Sequence, residues 1–306
     1  MKIFVTGGAG FIGSATVNSL IQKGHQVTVY DNLSTGYRDS IEPKAKFILG
    51  DIRDRDLLVK SMMGHDLIMH FAAKTEAGES VNNPENFYQV NIMGGINLLE
   101  AARKLKINKI VFSSSAAIYE PQSKPVTENS PKGPVNPYGA TKLIFEDLLS
   151  AYYHSYNIES ISLRYFNVYG PGAKNKNTTL VIPNFIKSII QEKPVSLYWQ
   201  GQQIRDFIYI DDLVKAHILA LDFKGLKAYN LGSGKGTKII DLLKLISNVI
   251  GKKANINDLG ERKGDPSCLV SAYKKAARQL NWEPQTTLEV GLKKTVKYYQ
   301  DELKKA

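Results

Sequence analysis

Near the start of the chain the apolar run Lys2-Ile3-Phe4-Val5-Thr6 breaks directly into Gly7-Gly8-Ala9-Gly10-Phe11-Ile12-Gly13, and an apolar helical pattern follows. A Gly-x-x-Gly-x-x-Gly spacing between a strand and a helix leaves few folds open. The glycines permit a tight turn, let backbone N–H groups approach a pyrophosphate and let the helix pack closely on the strand, while the helix N-terminus favours negative charge. Alone, such a pattern is weak. Placed between the first strand and the first helix, with Asp31 ending the second strand, it becomes a dinucleotide-binding signature.

The rest of the chain keeps the rhythm this signature demands. Lys2 to Thr6, Gln26 to Tyr30, Lys46 to Leu49, Asp66 to His70, Lys109 to Ser113 and Glu159 to Arg164 read as short strands separated by helical patterns. Alternation at this spacing means right-handed βαβ crossovers, hence an α/β fold with a doubly wound, Rossmann-like parallel sheet that binds ligands beyond the carboxyl ends of its strands. After Arg164 the rhythm loosens around Pro171, Gly172, Pro183 and Pro194, and another strand is expected at Asp206 to Ile210. The expected division is a nucleotide-binding domain over 1–165, with 204–231 returning to it, and a smaller mixed C-terminal substrate lobe over 166–203 and 232–306.

Composition narrows the class. A 306-residue chain that is 43% hydrophobic and 23% charged can bury a large core, and no apolar run approaches membrane-spanning length. Because Met1-Lys2-Ile3 enters a strand at once, without a basic leader and apolar signal region, a cytoplasmic enzyme is expected. Cys268, the single cysteine, excludes an intramolecular disulfide framework and is too few for a cysteine-based metal site; no metal is expected. The formal charge of +11 and the pI near 9.4 invite a nucleic-acid reading. Helical lysines such as Lys293, Lys294 and Lys297 explain the excess more simply as solvated faces, so neither nucleic acid nor membrane is expected as a partner.

Asp31 stands where a carboxylate accepts hydrogen bonds from adenosine ribose hydroxyls, and its charge would repel a 2′-phosphate, so NAD is expected over NADP. Asp51-Ile52, after the third strand, is placed to meet the adenine edge through side-chain and backbone polar groups. The fifth strand delivers Ser114 and Ser115 to the carboxyl edge of the sheet, and Tyr138-Gly139-Ala140-Thr141-Lys142 opens a later helix. Tyrosine and lysine four apart share a helical face. A free phenol ionises near pH 10, so a tyrosinate base working near neutrality needs about 4 kcal/mol of stabilisation. Lys142 and an oxidised nicotinamide are cations able to supply it, with Ser115 holding the reacting oxygen and relaying its proton.

Taken together, these residues make the chain resemble an extended short-chain dehydrogenase/reductase of the NAD-dependent epimerase/dehydratase family, most of all its UDP-galactose 4-epimerase branch. The resemblance runs through Gly7 to Gly13, Asp31-Asn32, Gly50-Asp51-Ile52, His70-Phe71-Ala72-Ala73, Asn91, Ser113-Ser114-Ser115, Tyr138 to Lys142, Arg164-Tyr165-Phe166-Asn167, Arg205-Asp206-Phe207 and Arg262-Lys263-Gly264-Asp265. It implies Tyr138 as acid/base, Lys142 as its electrostatic partner and nicotinamide-ribose ligand, and Ser115 as partner of the substrate hydroxyl. It further implies a cofactor site built from Gly7, Gly10, Phe11, Ile12, Gly13, Asp31, Asn32, Asp51, Ile52, Phe71, Ala72, Ala73, Asn91 and Tyr165. Asn167, Arg205, Arg262 and Asp265 match residues that hold a nucleotide diphosphate and its ribose.

The implied reaction is interconversion of UDP-glucose and UDP-galactose by transient oxidation at C4, with epimerisation of another nucleotide sugar, a UDP-N-acetylhexosamine or a UDP-uronate, as the alternative. Related dehydratases and decarboxylases place acidic residues after the catalytic hydroxyl, whereas this chain has Ala116-Ala117, which cannot move a proton. A module that keeps the fold without turnover is opposed by the intact Ser115, Tyr138 and Lys142. By resemblance, Leu269 lines the space near the sugar's C2 substituent, so N-acetylated sugars are expected to turn over more slowly. The helices around Pro84 to Leu105 and Tyr138 to Ser155 would pair across a homodimer axis. Three departures from the family stand out: Gly95 where threonine is common, which should loosen its helix; Lys74-Thr75 in place of an apolar-lysine order; and Glu120 where glycine is usual.

Overall fold

The computed structural model describes residues 1–173, 180–261 and 266–305. In chain order the strands are β1 (Lys2–Thr6), β2 (Gln26–Asp31), β3 (Lys46–Leu49), β4 (Leu67–His70), β5 (Lys109–Ser115), β6 (Glu159–Tyr165) and β7 (Asn167–Tyr169). They continue with β8 (Val195–Leu197), β9 (Ile204–Tyr209), β10 (Leu226–Leu231), β11 (Gly236–Lys238), β12 (Ile256–Asp258) and β13 (Cys268–Leu269). The helices are α1 (Phe11–Gln22), α2 (Arg55–Met62), α3 (Ala77–Asn82), α4 (Pro84–Phe87), α5 (Gly94–Leu105) and α6 (Pro137–Tyr156). After them come α7 (Val181–Ile190), α8 (Ile210–Leu219), α9 (Ile239–Ile250), α10 (Lys274–Leu280) and α11 (Leu288–Lys305).

Seven strands form one parallel sheet in the order β10-β6-β5-β4-β1-β2-β3. Successive side chains of a strand point to opposite faces, so each strand feeds two cores. In β1, Ile3 and Val5 pack toward α1, α8 and Trp282, while Phe4 packs toward α2, α5 and α6. Strands buried on both faces need the near-continuous apolar runs seen in the sequence. The order reverses at β1, and a crevice opens there between the carboxyl ends of β1 and β4, where this architecture receives its ligands.

A smaller lobe carries a second sheet, β11-β9-β13 with β7 paired to β9, and a two-stranded β8-β12 ladder. Its core gathers α7, α9 and α11 around Phe185, Ile186, Leu242, Ile246 and Val296. The segment 204–231 divides between the lobes. Its strand β10 joins the large sheet beside β6 and its helix α8 lies against α1, but β9 pairs within the second sheet.

Two local features set the walls of the site. Helix α6 starts where Asn136 caps it by accepting from Gly139 N–H at 2.8 Å, with Pro137 in the first turn. Gly95 lies where α5 meets α6. A Cβ built there would lie 2.5 Å from the Phe145 ring of α6, so the missing side chain is what lets the two helices approach.

Candidate active site

A cleft of about 760 Å³ runs along the carboxyl edge of the large sheet and is closed by the smaller lobe. One end is the glycine turn. Gly7 has a φ of +71°, and a Cβ there would meet the Ala72 amide nitrogen at 2.4 Å; a Cβ on Gly13 would sit 2.2 Å from the Gly7 carbonyl oxygen. Any larger residue at either position would push β1 away from β4 or α1 away from the turn. The first intrahelical bond runs from Ser14 N–H to the Gly10 carbonyl at 2.9 Å, so the N–H groups of Phe11, Ile12 and Gly13 precede the helix ladder at the cleft wall.

Asp31 lies at the same end, buried, accepting from Ala9 N–H at 2.9 Å through one oxygen and from Leu33 N–H at 2.8 Å through the other. Burial raises its pKa and the two backbone bonds oppose that rise. Each oxygen keeps a second acceptor site, because a carboxylate offers about four in all. Asp51 differs. Its carboxylate takes Arg53 through Nε and Nη2 at 2.9 and 2.8 Å and Asn32 Nδ2 at 2.9 Å, and the Arg53 hydrogen bonds hold its pKa well below the usual carboxylate range. With the side chain spent, only the backbone of Asp51 and Ile52 is left to face a base.

The three serines ending β5 divide by the pleat of the strand. All three border the cleft, but the Ser114 hydroxyl is turned to Glu146, donating to its Oε1 at 2.5 Å. Ser115 Oγ accepts from Ala117 N–H at 3.1 Å, so its own proton is directed outward, and a side-chain hydrogen bond joins it to Tyr138. That bond lowers the Tyr138 pKa, but burial outweighs it and the nearby Glu76 charge adds to the rise, so the phenol is held above its ordinary value.

Lys142 is fully buried behind Tyr138. Its Nζ donates to the Ser113 carbonyl at 2.7 Å, stands 4.9 Å from the centroid of the Phe112 ring and 5.9 Å from that of Tyr138. Burial brings its pKa down to about 7, with Glu146 pulling the other way. Lysine grips the strand that carries Ser115 while its ammonium stands over the Tyr138 ring.

Glu146 continues the α6 stripe begun by Tyr138 and Lys142, and sequence reasoning missed it. It meets Arg164 in a buried fork, Nε to Oε1 at 2.9 Å and Nη2 to Oε2 at 2.6 Å. Arg164 Nη1 donates to Tyr119 Oη at 2.7 Å, and Tyr119 donates to Asn230 Oδ1 at 2.6 Å. Burial works against the guanidinium charge, but Glu146 overcomes this and keeps its pKa raised. The spacing of four from Tyr138 to Lys142 to Glu146 was the available signal.

Among the cofactor-side residues, Phe71, Ala72, Ala73 and Tyr165 line the cleft. Tyr165 hydrogen-bonds His217 Nε2 at 2.5 Å. His217 Nδ1 donates to the Leu213 carbonyl at 2.9 Å, and burial takes its pKa down to about 4, which favours the neutral ring. Asn91 stands one layer back. Its amide clamps both backbone groups of Lys74, accepting from N–H at 2.8 Å and donating to the carbonyl at 3.0 Å, and also reaches Thr141 Oγ1 at 2.9 Å. Lys74 and Thr75 both line the cleft, and Lys74 Nζ turns to Glu79 at 3.3 Å.

On the other wall, Asn167 donates to the Asp206 carbonyl at 3.2 Å and the buried Arg205 to the Ile204 carbonyl at 2.9 Å. Leu269, whose backbone is in register with Arg205, is both cleft wall and part of a small core with Ala116, Val126 and Phe166. Asp206 itself is a latch: buried, it accepts from Ser233 N–H and Oγ, Gly234 N–H and Ser271 N–H at 2.7, 2.6, 3.0 and 2.9 Å. Arg262 and Asp265 lie outside the described residues. The first turn of α7, through Val181 and Ile182, also lines this wall and had no signal in the sequence beyond its apolar period.

A dinucleotide-shaped crevice, a serine and tyrosine in hydrogen-bond contact and a second wall with an arginine together describe a redox site that holds an anionic substrate. Comparison with known proteins agrees. A putative UDP-glucose 4-epimerase of Methanocaldococcus jannaschii is 39% identical over 98% of each chain. The UDP-glucose 4-epimerase of Thermotoga maritima, solved with UDP-glucose, superposes with a TM-score of 0.96 at 35% identity over 99% of this chain and all of that one. The Thermus thermophilus UDP-glucose 4-epimerase, solved with NAD, gives 0.94 at 34% identity over 98% and 99%. Residues 3–232 match the NAD dependent epimerase/dehydratase family, and to that family the chain belongs.

Proposed function

We propose that this protein interconverts UDP-glucose and UDP-galactose as an NAD-dependent 4-epimerase. The observation that carries the reading is the Ser115–Tyr138 contact at the carboxyl edge, followed by Ala116 and Ala117, which place no proton-transfer group directly after the serine. Dehydration or decarboxylation requires more proton transfers beside the same hydroxyl.

The residues fit the cofactor on a steric ground: the turn at Gly7 and Gly13 admits no side chain, and the N–H groups behind it are those a pyrophosphate takes. Asp31 has acceptor sites left for two ribose hydroxyls. NAD supplies the acceptor for the C4 hydride and, once the ring has turned over, its donor. Tyr138 removes the proton from the C4 hydroxyl and returns it at the end of the cycle, so it must be ionised when the substrate arrives. Ser115, with its proton directed outward, stabilises that phenolate and then the substrate oxygen. Lys142 holds the Ser113 carbonyl and so fixes the height of Ser115; Asn91 fixes the loop at Lys74. Arg205 and Asn167, with Arg262 and Asp265, retain the diphosphate and ribose, which lets the sugar turn without escaping.

The exposed Val81, Tyr88, Met93 and Ile144 lie on α3, α6 and the turns between α4 and α5, and they support pairing of two copies through these helices. Sedimentation of Ile144→Asp tests this, since a dimeric variant would contradict it. No described helix is long and apolar enough to cross a membrane, and the lone cysteine and NAD chemistry favour the cytoplasm, which cell fractionation would check. The deciding experiment releases the bound nucleotide from purified protein and offers a panel of nucleotide sugars. NAD in the extract and equilibration of UDP-glucose with UDP-galactose are expected; binding without turnover of any sugar would overturn the assignment.

A further inference from the structure

In β9 the pleat divides neighbouring side chains between two faces. Arg205 and Phe207 line the cleft, while Asp206 between them is wholly buried on the far side of the strand. What its carboxylate holds is spread over two other segments. One oxygen accepts from the N–H and the hydroxyl of Ser233, and the other from the N–H groups of Gly234 and Ser271. Ser233 and Gly234 leave the carboxyl end of β10 in the large sheet, and Ser271 follows β13 in the second sheet.

The join is tight. A Cβ on Gly232 would stand 2.6 Å from Asp206 Oδ2 and 2.6 Å from the Ser271 Cβ. Apart from the Ser233 hydroxyl the donors are backbone N–H groups, which cannot accept in return, so the cluster suits an anion. The residues around this carboxylate are those that face the nucleotide. Arg205 precedes it in the chain, Asn167 donates to the Asp206 carbonyl at 3.2 Å, and Leu269, in register with Arg205, lies shortly before Ser271. A binding wall fixed before its ligand arrives spares the complex the cost of ordering that wall.

We infer that Asp206 is a positioning residue for the nucleotide: its carboxylate ties the substrate wall to the end of the large sheet and so holds Arg205 and Asn167 in place for the diphosphate and ribose. The inference rests on the nucleotide-sugar reading above and names a residue that serves that site from outside the cleft.

Calorimetric titration of the NAD-loaded enzyme with UDP tests it without requiring turnover, using the natural protein, Asp206→Asn, Ser233→Ala and Gly232→Ala. In Asp206→Asn an amide NH₂ must face N–H donors, so UDP should bind about 10-fold or more weakly. Ser233→Ala removes one donor, and Gly232→Ala removes none but wedges Asp206 away from Ser271. Each should weaken UDP by about 3-fold or more. The KM for UDP-glucose should rise in step, while the kcat of Ser233→Ala and Gly232→Ala and the NAD that they retain stay within about 2-fold of the natural values. A loss of UDP affinity below about 3-fold in either of these two variants would overturn the inference, whether or not Asp206→Asn folds. Loss of NAD or of kcat in parallel with UDP would do the same, by showing a fold loosened throughout. Failure of the nucleotide-sugar reading looks different: the natural protein itself would bind no UDP.

Discussion

Replacing Lys142 by methionine should stabilise the fold while abolishing most activity. The side chain is 3% exposed, and burial lowers its pKa to about 7 from 10.5. Between those two values the unfolded chain holds a proton that the folded chain has released, so stability must rise with pH across the window. Below pH 7 both states carry the proton and the desolvation cost is present in full. Integrating the linkage from pH 7 to pH 9 with those two pKa values leaves about 2 kcal/mol of stability gained by the natural protein. Methionine of similar length has nothing to titrate there.

The assay is urea unfolding of NAD-free natural protein and Lys142→Met at several pH values from 7 to 9. The variant should be the more stable at pH 7 by a few kcal/mol, offset in part by the lost bond to the Ser113 carbonyl, worth about 1 to 3 kcal/mol. The advantage should shrink by about 2 kcal/mol at pH 9. Parallel stability curves would refute the argument, because they would mean that Lys142 keeps the same charge in both states. A variant that is destabilised already at pH 7, with a deficit that widens by about 2 kcal/mol at pH 9, would instead show that the Ser113 bond outweighs desolvation. Gained stability coupled to lost turnover marks a side chain placed for function rather than packing.

Tyr138→Phe should keep the fold and the bound NAD while losing about 100-fold or more in kcat, the range of a general acid/base; near-normal turnover would remove Tyr138 as the base. With Asp31 facing the ribose, reconstitution with NADP at matched salt should be weaker than with NAD, and equal use of both would contradict the carboxylate's role. Gly95→Thr should lower stability by about 1 to 3 kcal/mol through collision with Phe145, and Phe145→Leu in the same chain should recover part of it; an unchanged urea midpoint would count against the close approach. Leu269→Tyr should sharpen the preference for UDP-glucose and UDP-galactose over their N-acetylated counterparts by about 10- to 200-fold in kcat/KM at most. An unchanged ratio would return Leu269 to its small core.

Much of this molecule was legible because its constraints are local. The glycine turn, the Asp31 that ends β2 and the short apolar strands each follow from what a few consecutive residues permit. Element ends moved by one or two residues where hydrogen bonding continued a strand past its apolar run, as with Ser114 and Ser115 in β5. A strand was expected at 206–210, within a segment returning to the first lobe, and β9 runs over 204–209. Its partners, β7, β11 and β13, are distant in sequence, and no local pattern announces which sheet a short strand will join.

The catalytic side chains were legible as a set and not as an arrangement, and the reason is burial. From spacing, Lys142 reads as a cation beside a phenol. Its actual state depends on Phe112, on the Ser113 carbonyl and on Glu146, which meet only when α6 lies against the end of β5. The pleat then sorts three identical serines into three functions. Ser113 offers its carbonyl to the lysine, Ser114 its hydroxyl to the buried ion pair, and Ser115 its proton to the tyrosine. Sliding β5 by one residue would exchange the faces and aim Ser114 at the substrate while Ser115 faced Glu146. Register in a sheet buried on both faces is strongly specified. The chemistry of this site is therefore held in place by the apolar residues Ile110 to Phe112 that set the register of β5, although none of them has a polar atom in its side chain.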